Sequence, residues 1–270
     1  MNKDRRDFLK LAGVTVAGIG ASSAFHALLS GEAAASGLRR AGVVKTKAET
    51  RLGMVIDINK FIEHRGLAQR CIDACHSIHN VPDFANPDHQ VKWLWTDKFE
   101  HVFVKDTHYR QAEKLQGTPV LALCNHCDNP PCVRVCPTRA TFKKADGVVA
   151  MDYHRCIGCR FCMAACPYGA RNFNWLDPRG KNERGNPLIR KLNRRYPTRT
   201  IGVVEKCNFC AHRLAVGELP ACVEEAAAYE AIFFGNLNDP QSAISQVLRE
   251  KFTITRRGSL GTRPSIFYIV

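Results

Sequence analysis

Apolar and polar positions alternate along Arg51-Leu-Gly-Met-Val-Ile-Asp-Ile-Asn59, and the β-branched content of that stretch predicts a strand. Residues 91–105 are aromatic and β-branched enough for one or two further strands, and Gly147-Val-Val-Ala-Met-Asp152 predicts a short one. Between residues 121 and 172 the pattern is loop, helical turn, strand, and then the same again. Near the C-terminus Asp239 followed by Pro240 has the N-cap/N1 arrangement of a helix running to Glu250. Residues 252–255 and 265–270 then close the sequence as strands. The expected class is α+β, with short strands, helical turns and many loops. No solenoid period is present, but cysteine-bearing groups recur along the chain.

Those groups carry the chemistry. Cys156-x2-Cys159-x2-Cys162-x3-Cys166-Pro167 is the bacterial cluster run: three close thiolates hold one four-iron cubane, and the fourth, set apart by the longer gap and the proline, reaches a second. Cys124-x2-Cys127-x4-Cys132-x3-Cys136-Pro137 is a second complete group. The crossed rule gives one cluster to Cys124, Cys127, Cys132 and Cys166, and another to Cys156, Cys159, Cys162 and Cys136. Structural zinc in two four-thiolate sites is the alternative, although zinc knots rarely use three close cysteines plus a distant fourth before proline.

Composition adds the compartment. Hydrophobic content of 45% and charged content of 24% are those of a soluble globular protein. A net charge of +14 raises the question of nucleic acid. Each oxidised cluster with its four thiolates carries about −2, however, so part of that excess compensates buried anions and no nucleic-acid partner is expected. Asp4-Arg5-Arg6-Asp7-Phe8-Leu9-Lys10, a Gly- and Ala-rich apolar stretch and Ala33-Ala34-Ala35 form a twin-arginine export signal with a cleavage site. Retention as an anchor is the alternative, weakened by Gly13, Gly18 and Gly20. That route carries folded proteins, so clusters assembled beforehand are compatible with a periplasmic destination where thirteen cysteines would otherwise predict disulfides.

Two further groups are incomplete: Cys71-x3-Cys75, and Cys207-x2-Cys210-x11-Cys222 with Ala226 where a fourth cysteine would stand. With Cys127-Asp-Asn-Pro-Pro-Cys132, Cys156-Ile-Gly-Cys159 and Cys75-His-Ser-Ile-His-Asn-Val-Pro82, the sequence from about residue 52 to its end resembles the four-cluster electron-transfer subunits of the dimethyl sulfoxide and polysulfide reductase type. Within that family it is most similar to the periplasmic iron–sulfur subunit of the Dsr transmembrane complex, on Phe173-Asn-Trp-Leu-Asp-Pro-Arg179, Gly202-Val-Val-Glu-Lys-Cys-Asn-Phe-Cys210, Pro220-Ala-Cys222 and Tyr268-Ile-Val270.

The resemblance implies nested ferredoxin-like modules: a signal peptide over residues 1–35, an outer cluster module split between 36–116 and 201–270, a two-cluster module over 117–178 and a basic loop over 179–200. It implies a third cluster on Cys75, Cys207, Cys210 and Cys222. It also implies that a fourth is lost at three of its corners, with Phe61 and His64 near the first two positions, Cys71 alone and Ala226 at the last. The cofactor expectation is therefore three [4Fe–4S] clusters. The expected partners are a polytopic quinone-reactive membrane subunit and a multihaem cytochrome c.

No catalytic residue of a substrate site is expected, since neither a Gly-rich phosphate loop nor a Ser-His-Asp arrangement is present; the alternative role is the wire of a molybdopterin oxidoreductase. A zinc-stabilised interaction protein is the alternative of another class. His126, His212, Arg160 and Lys206 stand beside cluster cysteines, where hydrogen bonds or charge tune potential, against the simpler expectation of solvated side chains. His64 and His79 are substitute ligands at most. Trp93, Trp95 and Trp175 are expected as core or interface aromatics. The loop over 179–199 holds eight basic residues and one acidic, which is either solvated or docks an acidic partner or anionic headgroups.

Overall fold

The computed structural model describes residues 50–104 and 114–270. The export signal expected over residues 1–35 lies outside them. The described residues form a mixed α+β fold: a four-stranded sheet, three two-stranded ribbons and short helices.

Strand β1 (Leu52–Asp57) is central to the four-stranded sheet. It pairs antiparallel with β8 (Ile232–Asn236), placing Met54 opposite Phe234, and parallel with β10 (Ile266–Ile269), placing Met54 beside Ile266. The two-residue β9 (Thr253–Ile254) closes the edge. The period-2 alternation of a strand explains why β1 is buried on both faces. Met54 and Ile56 enter the main core with Leu121, Trp93 and Tyr268. Val55 points the other way, into a smaller core with Ile244 and Ile269. Ile244 belongs to α8 (Ala243–Glu250), which covers that face.

The structure corrects two sequence expectations and narrows a third from one or two strands to one. The first strand stops at Asp57 because the Asp57 carboxylate accepts the N–H groups of Asn59 (2.9 Å) and Lys60 (3.3 Å), which caps α1 (Ile58–Glu63). Residues 91–105 give one strand, β2 (Leu94–Lys98), and then a helical turn, α3 (Phe99–Val102). The last helix begins later than Asp239: Ser242 is its cap, accepting from Ser245 N–H at 3.3 Å, while Asp239 accepts from Gln241 N–H in a local turn.

Helix α2 (Leu67–Ile78) carries Cys71 and Cys75 on its buried side and packs against α7 (Ala221–Ala226), which carries Cys222. Strand β3 (Pro119–Leu123) pairs antiparallel with β2 and delivers the backbone to Cys124. Two similar units follow. The first has a helical turn, α4 (Pro131–Arg134), and the ribbon of β4 (Thr141–Lys143) with β5 (Val149–Met151). The second has α5 (Phe161–Ala164) and the ribbon of β6 (Asn172–Phe173) with β7 (Val204–Glu205). One more turn, α6 (Ala211–Leu214), follows Cys210. Among the described residues no helix is long and apolar enough to cross a membrane.

Asp57→Ala removes the side chain that caps α1 and is expected to cost about 1 kcal/mol. The check is the urea midpoint of the far-ultraviolet circular dichroism, which should fall with unchanged slope.

Candidate cluster sites

Cys124, Cys127, Cys132 and Cys166 line one small cavity, walled by Pro130, Pro131, Val149, Tyr168 and Arg171. Cys136, Cys156, Cys159 and Cys162 line a second, with Thr138, Met151, Gly158, Arg160 and Val204. Each set joins three cysteines of one motif to the last cysteine of the other. The local geometry follows from the repeat: Cys132 and Cys162 sit within the single turns α4 and α5, and Cys136 and Cys166 leave those turns just before a proline. Gly158 is required between Cys156 and Cys159. Its φ is +70°, and a Cβ there would clash with the carbonyl oxygen of Gly202.

The third set comes from distant segments. Cys75 on α2 and Cys222 on α7 are buried with Cys207 and Cys210, and the four thiols act on one another electrostatically. Burial first, and then the neighbouring thiols, push the pKa of Cys75 and of Cys222 well above the ordinary thiol value. Burial likewise raises Cys207 to about 12. All thirteen cysteines are free of disulfides.

Two sets of four thiols lining cavities, and a further buried group of thiols around Cys75 and Cys222, suit cores that supply positive charge, because coordination holds a thiolate deprotonated where burial alone would not. The donor set of the two cavities, four thiols each, fits a [4Fe–4S] core. Hydrogen-bond donors are already aimed at the sulfurs. Burial works to raise Cys136, yet the backbone N–H groups of Thr141, Thr138 and Ala140 and the Thr138 hydroxyl bring its pKa below the ordinary value. The Phe209 N–H donates to Cys207 Sγ at 3.5 Å.

The polar residues beside the cages are more buried than the sequence implied. Lys206 is 1% exposed, not solvated; its ammonium donates to the carbonyls of Cys207 (2.7 Å) and Val149. His126 is buried and stacks on Phe209 at 3.7 Å. The Val149 N–H donates to its Nδ1, so the proton of the neutral ring sits on Nε2; burial, then Lys206 and Arg171, push its pKa well below the usual value. His212 is half-buried beside Tyr196. Arg160 is exposed and lies over Trp175 (4.7 Å), itself exposed, whereas Trp93 is core. His79 is buried against Trp93, with Nδ1 2.7 Å from the Cys75 carbonyl oxygen, and burial lowers its pKa to about 3.

Where the resemblance implied a lost fourth cage, Phe61, Cys71 and Ala226 belong to the main hydrophobic core. Cys71 Sγ donates to the Cys222 carbonyl oxygen at 3.5 Å, and burial pushes its pKa up to about 12. His64 is half-buried against Tyr229, with ring centroids 4.6 Å apart.

Sequence reasoning missed an ion pair that joins the halves of the third set. Arg199 and Glu205 are both fully buried, with Nη2 and Oε2 2.6 Å apart. Arg199 also donates to the carbonyls of His79 and Asn80, and Glu205 accepts from Trp93 Nε1 (2.8 Å) and Asn174 Nδ2 (2.5 Å). The Glu-Lys-Cys order at 205–207 was visible, but its partner lay in a stretch expected to be a solvated loop.

A family model described as a 4Fe-4S dicluster domain matches residues 118–182. The Hdr-like menaquinol oxidoreductase iron-sulfur subunit 1 of Archaeoglobus fulgidus is 38% identical over 98% of this sequence and 97% of its own length. The iron-sulfur cluster-binding subunit of menaquinone reductase from Nitratidesulfovibrio vulgaris is 33% identical over 80% of this sequence and 88% of its own. The B subunit of polysulfide reductase from Wolinella succinogenes is 34% identical over 81% and 94%. This protein belongs to the ferredoxin-type iron–sulfur subunits of the dimethyl sulfoxide and polysulfide reductase family. Proteins of this class are electron-transfer subunits.

Glu205→Gln leaves the Arg199 guanidinium buried without its counter-charge, a change expected to cost about 3–5 kcal/mol. It should show as a lowered urea midpoint together with loss of iron bound through Cys75 and Cys207. A midpoint within about 0.5 kcal/mol of wild type, the range of ordinary surface substitutions, would contradict the role given to the pair.

Proposed function

We propose that this protein is an exported electron-transfer subunit carrying three [4Fe–4S] clusters, within a quinone-linked respiratory complex of the Dsr, sulfur-metabolising type. The observation that carries this reading is the cavity pair, each lined by three cysteines of one motif and the last cysteine of the other. The cluster ligands are then Cys124, Cys127, Cys132 and Cys166; Cys156, Cys159, Cys162 and Cys136; and Cys207, Cys210, Cys222 and Cys75. The architecture is a two-cluster ferredoxin-like module over residues 117–178 nested within an outer module that draws on both flanking segments. Support for that nesting comes from β1, β8 and β10 sharing one sheet and from α2 packing on α7.

Bound clusters accept and release single electrons without a proton or a substrate bond. The residues around them set the ease of that exchange. Burial disfavours added negative charge, and N–H donors to sulfur, as at Cys136 and Cys207, offset it. The cage nearest solvent is the second. Cys136, Cys156 and Cys159 are half-buried, with Ile157 and Phe161 exposed beside them, so a partner's redox centre can approach there.

The assigned partners are a polytopic quinone-reactive membrane subunit and a multihaem cytochrome c, on the periplasmic side of the membrane. Relatives named for menaquinol oxidoreductase and menaquinone reductase support the quinone link. A four-cluster wire of a molybdopterin reductase fits less well, because Phe61, Cys71 and Ala226 pack as core.

Purified anaerobically, the protein is expected to hold about twelve irons and about twelve acid-labile sulfides per polypeptide, whereas about sixteen would restore the fourth cage. Cys75→Ala should remove about four irons and Cys71→Ala none, and the reverse pattern would overturn the assignment of the first group. A colourless, zinc-loaded protein would sink the redox reading altogether, and haem in the purified complex would support the cytochrome partner.

A further inference from the structure

Arg171 is 4% exposed, and its place is set by the register of the β6–β7 ribbon. Asn172 pairs with Glu205, so Arg171 lies across from Lys206 at the end of that ribbon. Its guanidinium walls the cavity of Cys124, Cys127, Cys132 and Cys166. On its other side Nη1 donates to Thr141 Oγ1 at 3.0 Å and lies 3.5 Å from Met151 Sδ. Met151 in turn lines the cavity of Cys136, Cys156, Cys159 and Cys162. One guanidinium therefore stands in the wall between two cages.

Its surroundings hold no conventional counter-charge. No ion pair among the described residues involves Arg171, and Nη2 is buried without a hydrogen-bond partner. Arginine stays charged in proteins, and a buried charge left unpaired is strongly disfavoured. Burial works to lower its pKa, but Cys132, Cys162 and Cys124 outweigh that and raise it. The other buried cation nearby differs, since Lys206 donates to the carbonyls of Cys207 and Val149.

We propose that Arg171 is the shared counter-charge of the two clusters in the 117–178 module, a positioning residue that raises the reduction potential of both. This rests on the cluster assignment made above. A reduced cluster carries one more negative charge than an oxidised one, and Coulomb attraction to a fixed cation is stronger inside the protein than in water. One cation in the shared wall therefore favours the reduced form on either side. The third cluster, held by Cys75, Cys207, Cys210 and Cys222, is not walled by Arg171, since the cavity that Arg171 lines holds none of these thiols.

The test is a redox titration of the intact, anaerobically purified protein followed by electron paramagnetic resonance, with iron counted in each preparation. Arg171→Gln is expected to move two of three midpoints downward by at least tenfold in the reduction equilibrium, 59 mV for a one-electron couple. The third midpoint should move less than threefold. Arg171→Lys keeps the charge while altering the bonds to Thr141 and Met151, and should stay within threefold of wild type at all three. Arg179→Gln, at an exposed arginine, should change nothing.

Unmoved midpoints in an iron-replete Arg171→Gln protein would overturn the inference, as would a shift confined to one cluster. Should Arg171→Gln fail to hold clusters, Arg171→Lys decides. Clusters held by lysine but not by glutamine support the charge, and their loss in both assigns Arg171 a purely structural role. A wild-type protein without clusters on these cysteines fails the earlier assignment instead, and its iron count separates the two failures.

Discussion

One buried ion pair joins the segments proposed to hold a third cage. Cys75 and Cys207 are 132 residues apart in the sequence (207 − 75), and nothing local holds them together. Arg199 and Glu205 do so by reaching in opposite directions. The guanidinium takes the carbonyls of His79 and Asn80, just past the helix that carries Cys75. The carboxylate takes Trp93 and Asn174, and stands two residues before Cys207. Removing such charges from water is costly, and their attraction offsets that cost only when the remaining donors and acceptors are also satisfied. Here both carboxylate oxygens are engaged, which fixes the approach of the two segments in a way that apolar packing, being non-directional, does not.

Charge explains the basic composition better than a polyanionic partner does. Part of the +14 lies where solvent cannot reach: Arg171, Arg199, Lys206 and Arg256 are all buried. One of them, Arg199, is neutralised by a carboxylate. Arg171 and Lys206 face thiols and carbonyls around the cages. Each cluster with four thiolates carries about −2 when oxidised, so cations at this depth have their natural partners in the cofactors. Burial first, and then Lys206 and Arg171, lower the pKa of His126, which stays a neutral ring stacked on Phe209.

The cysteine sets of the two cavities were legible because ligand spacing is a local property, written within runs of about a dozen residues. The strands of β-branched residues were legible for the same reason, β1, β5 and β10 among them. What failed was capping and depth. Asp57 reads as one more strand residue until its carboxylate is seen accepting two N–H groups, and Asp239 competes with Ser242 only three residues on. Helix α2 starts after Gly66, at φ +88° and with no side-chain cap, so no start signal marked it. Lys206 was expected in solvent because its acceptor at Val149 is 57 residues away, and Arg199 because it lies in a basic stretch whose other charges are largely exposed. Long-range acceptors leave no periodic trace.

The site at which a fourth cage is proposed to be lost is arranged differently from the inner cages. Beside Cys124 and Cys207 the cations Arg171 and Lys206 are buried, and Arg171 lacks a carboxylate partner. Beside Cys71 and Ala226 the local cation is Arg70, which is exposed, lies over the Tyr229 ring at 5.0 Å and pairs with Glu225 at 3.3 Å. That is the ordinary arrangement of a surface arginine, with its counter-charge supplied by the protein. Inside, Cys71 behaves as a small hydrophobe packed with Phe61 and Ala226, and its thiol is held protonated by burial. A vacated cluster site left open would be a cavity, with the loss of contacts that any void carries. Filling it with a phenyl ring, a methyl and a neutral thiol removes both the void and the need for a buried cation. On the proposed three-cluster reading, the absence of ligands and the absence of an unpaired buried cation there are two aspects of one arrangement.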